Sequence, residues 1–294
     1  LRGYLNGVQK GTDVSSTTNY SAKEFAIGSS YNAFTEAMDG HIEDFRFTSG
    51  FSRYPFIPLK ETLTTSTSMQ TGITLTASNT KLLTGHAASI TDGSATGHTI
   101  TASGDPAVSN FGPATGMKSI YFDGAGDYLT ITSHADFNLD QAGDWTAEFW
   151  MWLDGTQPGS GGTPTAIISK QNGSGSGARG WYISFKDTDD KIQTGHGGAA
   201  WVATATNSIK HYKWHHVAVT MKGSTNTHTV FIDGKVAGTN TSWDTSGNSS
   251  NFLIGKATTG GDSNLLKGYI SNLRIVRGQE IYTANFTPPT AELY

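Results

Sequence analysis

From residue 80 onward, apolar residues come in short runs and not at helical spacing. Ser119-Ile120-Tyr121-Phe122, Asp127-Tyr128-Leu129-Thr130-Ile131, Ala166-Ile167-Ile168-Ser169, Trp181-Tyr182-Ile183-Ser184-Phe185 and residues 215–221 (HVAVTM with its flanking His) are such runs. Turn-forming stretches such as Asp123-Gly124-Ala125-Gly126 bound them, which is the layout of strands. Residues 144–153, DWTAEFWMWL, alternate in part, setting Trp145, Ala147 and Phe149 opposite Thr146, Glu148 and Trp150. Weaker strand signals fall at Lys81-Leu82-Leu83, Thr99-Ile100-Thr101, Ile192-Gln193-Thr194 and Trp201-Val202-Ala203. No segment carries a convincing amphipathic-helix pattern. The spacing predicts an all-β sandwich.

The chain also repeats itself. Tyr4-Leu5-Asn6-Gly7 lies on Phe231-Ile232-Asp233-Gly234 at an offset of 227, and Phe25, Ile27 and Gly28 keep that offset onto Phe252, Ile254 and Gly255. One inserted residue later, Gly40, Ile42, Arg46, Gly50 and Tyr54 lie on Gly268, Ile270, Arg274, Gly278 and Tyr282. Self-similarity at a long fixed period marks two copies of one module, the first without its front. Residues 1–59 are therefore expected to be the C-terminal part of a truncated module, 60–79 a Thr/Ser-rich linker, and 80–294 a complete module. Half a sandwich buries too little surface to fold alone, so 1–59 in isolation should not melt cooperatively. Asn6-Gly7 and Asp233-Gly234 are expected to form two-residue hairpin turns. The mixed pattern of 41–48 reads as an outer or edge strand.

Composition narrows the function classes. Charged residues are 15% of the chain, against about 25% in an ordinary soluble domain. Gly contributes 36 of 294 residues, above the usual share of about 7%, as suits short strands joined by turns. A net charge of −4 argues against nucleic acid or an anionic membrane as partner. No apolar run approaches the roughly 18 residues of a membrane-spanning helix. Cys is absent, which excludes disulfides and thiolate metal sites.

Five phrases in order, SIYFDGAGDYLTI (119–131), DWTAEFWMW (144–152), KWHHVAVTM (213–221), TVFIDGKVAG (229–238) and GYISNLRIVRGQEIY (268–282), resemble the laminin-G-like branch of the concanavalin A-like lectin/glucanase superfamily. The match spans almost all of 80–294, and the first 59 residues carry the last two phrases only. The resemblance implies a jelly-roll sandwich of two curved antiparallel sheets. Tandem copies ending in a phrase like NFTPPT look like those of virion-surface and fibre proteins of marine bacteriophages.

An enzyme of this superfamily would be expected to carry closely spaced carboxylates on one strand. Retaining glycoside hydrolysis sets two of them about 5–5.5 Å apart, and no Glu-x-Asp-x-x-Glu arrangement occurs. Glu43 and Asp44 are adjacent and face opposite ways, Asp187, Asp189 and Asp190 read as solvated turn charge, and Glu148 has no nearby acidic partner. No catalytic activity is expected. His215 and His216 likewise point to opposite faces, so they do not chelate one ion. Asp123 and Asp127, in a Gly-rich turn, are candidates for calcium, the ion that members of this superfamily often carry; Asn272 stands where the first copy has Asp44. Trp145, Trp150 and Trp214 fall in the shared phrases and are expected to pack. Trp201 and Trp243, set among Gly, Asn, Thr and Asp, and with them His196, are the candidates for stacking on a sugar.

The expected function is a non-catalytic, tandem adhesion or display protein, a bacteriophage virion-surface or fibre component that binds cell-surface glycan. The alternatives are a structural spacer or capsid-decoration module working through neighbouring subunits, and an ancillary carbohydrate-binding domain of a secreted enzyme or cell-surface adhesin. The expected location is the virion surface or the extracellular space.

Overall fold

The computed structural model describes residues 3–5, 8–10, 76–158, 164–172, 180–196, 199–241, 247–257 and 264–288. The chain divides into two compact units, Leu1–Lys60 and Glu61–Tyr294. In the first, β1 (Gly3–Leu5) pairs antiparallel with β2 (Val8–Lys10), Leu5 facing Val8. The strands read at 25–27 and 41–48 lie outside the described residues, as do Asn6-Gly7 and most of the linker.

The second unit is a sandwich of two antiparallel sheets. One runs β12 (Ala199–Ala203), β11 (Lys191–His196), β10 (Gly180–Lys186), β9 (Thr165–Gln171), β16 (Phe252–Ile254), β7 (Tyr128–Ile131), β4 (Ile100–Ser103). The other runs β15 (Lys235–Asn240), β14 (Thr227–Ile232), β13 (Trp214–Lys222), β8 (Trp145–Leu153), β17 (Lys267–Arg277), β6 (Ser119–Asp123), β5 (Ala107–Ser109). β3 (Thr80–Thr84) joins it, pairing with the far half of β17 on the edge whose near half pairs with β6. Helix among the described residues is confined to three short 3-10 turns, at Ala77–Asn79, Ala135–Phe137 and Gly223–Thr225.

Alternation along the strands makes the core. Ala147, Phe149, Met151 and Leu153 of β8 face Trp181, Ile183 and Phe185 of β10 in one cluster, joined by Val217, Val219, Leu129, Ile131, Phe252 and Ile254. Each fully buried side chain of this size contributes about 1.5–3 kcal/mol. Among the described residues, His228 Nε2 of β14 meets the Thr194 hydroxyl of β11 at 2.9 Å, a polar bond that ties sheet to sheet.

The turn between β14 and β15 is the expected one. Ile232 faces Lys235, and Asp233 and Gly234 hold φ of 50° and 74°, the left-handed pair of a type I′ hairpin. The central strand β17 departs from simple alternation. Ile270 faces the core, and so do Leu273 and Ile275, because a bulge at Ser271–Asn272 changes the phase. Asn272 sits there with φ 50°, a conformation Asn and Asp tolerate better than other residues. The first copy has Asp44 at the matching position. In the second copy this phrase is a central strand, between β8 and β6.

Candidate functional site

Opposite phases of β8, β13, β17 and β6 present the outer face of the eight-stranded sheet. Strand register sets its side chains in rows. In one row Trp214 lies beside Trp152, Trp152 beside Tyr269, and Tyr269 beside Tyr121. Four aromatic residues thus cross four adjacent strands. Phe111, in the loop after β5, caps the row, its ring 4.8 Å from Trp152, 5.0 Å from Tyr269 and 5.4 Å from Trp214. The loop is held down by Ser119 Oγ, which donates to the Phe111 carbonyl at 2.5 Å. Phe111 remains 41% exposed, and Tyr212, two residues before Trp214, 64% exposed. Burial, and next the Asp154 charge, raise the pKa of Tyr269; the same two causes lead for Tyr121. Both phenols therefore stay neutral hydrogen-bonding groups at the edge of an apolar patch.

Two rows further along, the same face carries charge. Register places Ala218 beside Glu148 and Glu148 beside Arg274. The Arg274 guanidinium bonds Glu148 Oε1 through Nε at 2.8 Å and also through Nη2. The other oxygen, Oε2, accepts the Tyr282 phenol at 2.6 Å and lies 3.2 Å from His216 Nε2. Glu148, Arg274, His216 and Tyr282 are all buried. Burial alone would push the Glu148 carboxyl up, but the Arg274 charge and the His216 and Tyr282 contacts outweigh it and hold it at about 2. Such a carboxylate is neither a proton donor at neutral pH nor open to a substrate. It is a clasp: residues 281–286 pack over it, with Tyr282 stacked on Phe286 at 3.6 Å and Phe231 beside both.

A polar cleft of about 380 Å³ opens near the far end of β17, lined by Asn79, Lys81, Asp136, Asp140, Asp144 and Arg277 among others. Both acidic and basic groups line it.

The sequence-predicted residues are dispersed. Trp201 lies in β12, the outermost strand of the seven-stranded sheet, and not in a loop; its weak strand signal is the one the fold realises. His196 ends the neighbouring β11, where it faces Ala199. Trp243 lies outside the described residues. Trp145 is buried in the core, while Trp150 and Trp214 sit half-buried on the outer face. Asp123 and Asp127 come together with Asp105, their oxygens within 4.8 Å of one another. Asp127 is already engaged: Oδ1 accepts the Asp105 N–H and Oδ2 the Asp123 N–H, bracing two turns. His215 and His216 face opposite ways as expected, His215 Nδ1 reaching Asp233 at 2.9 Å. Missed in sequence were Phe111, the row behind it and the partners of Glu148. Trp152 shares the phase of Trp150 and Glu148, a signal that was present; the cross-strand neighbours are visible only in the register.

The chain matches, over residues 123–279 and so over half its length, the laminin G family described as the concanavalin A-like lectin/glucanases superfamily. It belongs to that superfamily. No curated protein matches it. Among solved structures this laminin-G-like sandwich is similar to the binding domain of Paraclostridial Mosquitocidal Protein 1, with TM-score 0.56 at 16% identity, covering 70% of this chain and 50% of that one. It is also similar to the receptor binding domain of botulinum neurotoxin D, with TM-score 0.51 at 11% identity, covering 69% and 50% respectively. At these identities the likeness is one of fold, and the chain spans about half the length of those domains.

Proposed function

We propose that this laminin-G-like protein is a non-catalytic adhesion or display module whose second unit binds cell-surface glycan, carried on the surface or fibre of a bacteriophage particle. The observation that carries glycan binding is the half-buried aromatic row under an exposed Phe111, beside the Asp154 carboxylate. Aromatic faces cover the apolar face of a sugar while flanking polar groups take its hydroxyls. The two similar solved structures are binding domains of other proteins, which supports a recognition role. The locked state of Glu148 supports the absence of hydrolysis. The placement on a phage particle rests on the tandem phrases alone. Trp201, at the sheet edge, is a further candidate contact, as are Trp243 and His196 on the sequence reading.

The test is glycan-array binding by a multivalent form of the full chain, since a single weak site gains avidity from repetition. Phe111→Ala should cut binding at least fivefold with Tm unchanged, and Trp201→Ala is measured in parallel. Loss in neither variant, or a fall in Tm alone, overturns glycan binding. One feature favours the alternative of a structural or capsid-decorating module. The rings stand tilted by 39° to 88° where they meet Phe111, a shape better suited to an apolar plug from a neighbouring subunit than to a flat sugar.

A further inference from the structure

We propose that His98, His134 and Asp136 bind one divalent transition-metal ion of the zinc class at the rim of the polar cleft. Three donor atoms, one from each side chain, lie within 4.8 Å of one another. Asp136 Oδ2 is 3.1 Å from His98 Nε2 and 3.3 Å from His134 Nδ1. A tetrahedral ion with bonds of about 2.0–2.1 Å sets its donors about 3.3 Å apart. Both measured edges fit that figure.

His134 Nδ1 lies 3.1 Å from the Asp136 backbone N–H, as the cap of the Ala135–Phe137 turn, and 3.3 Å from Asp136 Oδ2. The nitrogen and the carboxylate oxygen thus already stand at the spacing of two ligands, and an ion bound by both replaces one cap bond on a half-exposed loop.

The scaffold holds the donors in place. The turn is anchored by Phe137, buried and stacked on Phe252 at 4.7 Å. The His98 ring rests 4.8 Å from Phe137 and 4.8 Å from His134. The His98 backbone N–H donates to Asp92 Oδ2 at 2.8 Å, and Asp92 Oδ1 accepts the backbone N–H groups of Leu83 and Ser94. Lys81 Nζ lies 3.9 Å from Asp136 Oδ1, the kind of outer partner that orients a ligating carboxylate. Two imidazoles and one carboxylate suit zinc, cobalt or nickel and not calcium or magnesium, which take oxygen sets. Three protein donors leave a fourth position for water, on the side where Asp136 borders the cleft.

Isothermal titration of the full chain, free of any histidine tag, against Zn²⁺ tests this, with Co²⁺ absorption reporting coordination. One ion per chain is expected, with the intense visible bands of four-coordinate cobalt, and excess Ca²⁺ should not compete. His134→Ala, on a half-exposed side chain, should weaken Zn²⁺ binding about tenfold or more, by comparison with loss of an outer-shell partner. His98→Asn should do the same. Absence of saturable Zn²⁺ binding, or full retention of it by both variants, overturns the assignment.

Discussion

Tyr282 donates its phenol to Glu148 at 2.6 Å, joining residues 134 positions apart in sequence. The segment that follows β17 is thereby fastened over the middle of β8. Arg274 holds the other carboxylate oxygen. The outer face of the larger sheet is closed at this point and left partly open along the aromatic row.

Breaking the ion pair on one side strands a buried charge. Arg274→Met should therefore cost about 3–5 kcal/mol, whereas the double variant Glu148→Met/Arg274→Met should recover most of that loss. Equilibrium urea unfolding of the two singles and the double gives the coupling directly. Additive losses would show that the two side chains do not depend on each other.

Tyr282→Phe removes a hydrogen bond to a charged acceptor, a change worth about 1.5–3 kcal/mol. Its effect should be local as well. Amide exchange should accelerate in residues 281–286 before it does in β8 or β13; uniform acceleration would contradict a clasp.

Acid should unfold the second unit in two steps. Burial pulls His228 down from 6.5 to about 4, so the fold favours its neutral form. That contribution is complete above about pH 6.5 and is lost as pH falls through about 4. Glu148 is held at about 2 against a usual 4.5; its contribution is complete above about pH 4.5 and is lost as pH falls through about 2. His228→Gln should flatten the upper step and Glu148→Gln the lower one in a series of urea midpoints against pH. An acid limb untouched by either change would refute both assignments.

Gly234→Ala tests the hairpin. Its φ is 74°, and an added Cβ would overlap the Phe286 carbonyl oxygen, whose own N–H donates to the Gly234 carbonyl at 2.8 Å. The loss should exceed the about 1 kcal/mol typical of a glycine placed only for its backbone, and calorimetric Tm reads it. A neutral outcome would mean the C-terminal segment yields without cost.

Much of this architecture was legible in the residues. The runs at 119–122, 127–131, 166–169, 181–185 and 215–221 fall in β6, β7, β9, β10 and β13, since short apolar runs between Gly-rich turns have few other solutions. The repeat marked Arg274 and Tyr282 as shared positions through Arg46 and Tyr54, without showing what they serve. Glu148 looked isolated because its neighbours in sequence are apolar or aromatic. Its real neighbours come from β13, β17 and the segment beyond.

Sequence alone settled the class of fold, the turn at Asp233-Gly234 and the division of β8 into two opposite rows, because these depend on local backbone preference and a period of two. Tertiary structure decided the rest. Which strand lies beside which, where the Ser271–Asn272 bulge changes phase, and that Phe111 settles on Trp152 while Tyr282 settles on Glu148 are long-range facts. Each is fixed by complementary burial between segments tens to more than a hundred residues apart, and no local pattern in the chain carries that information.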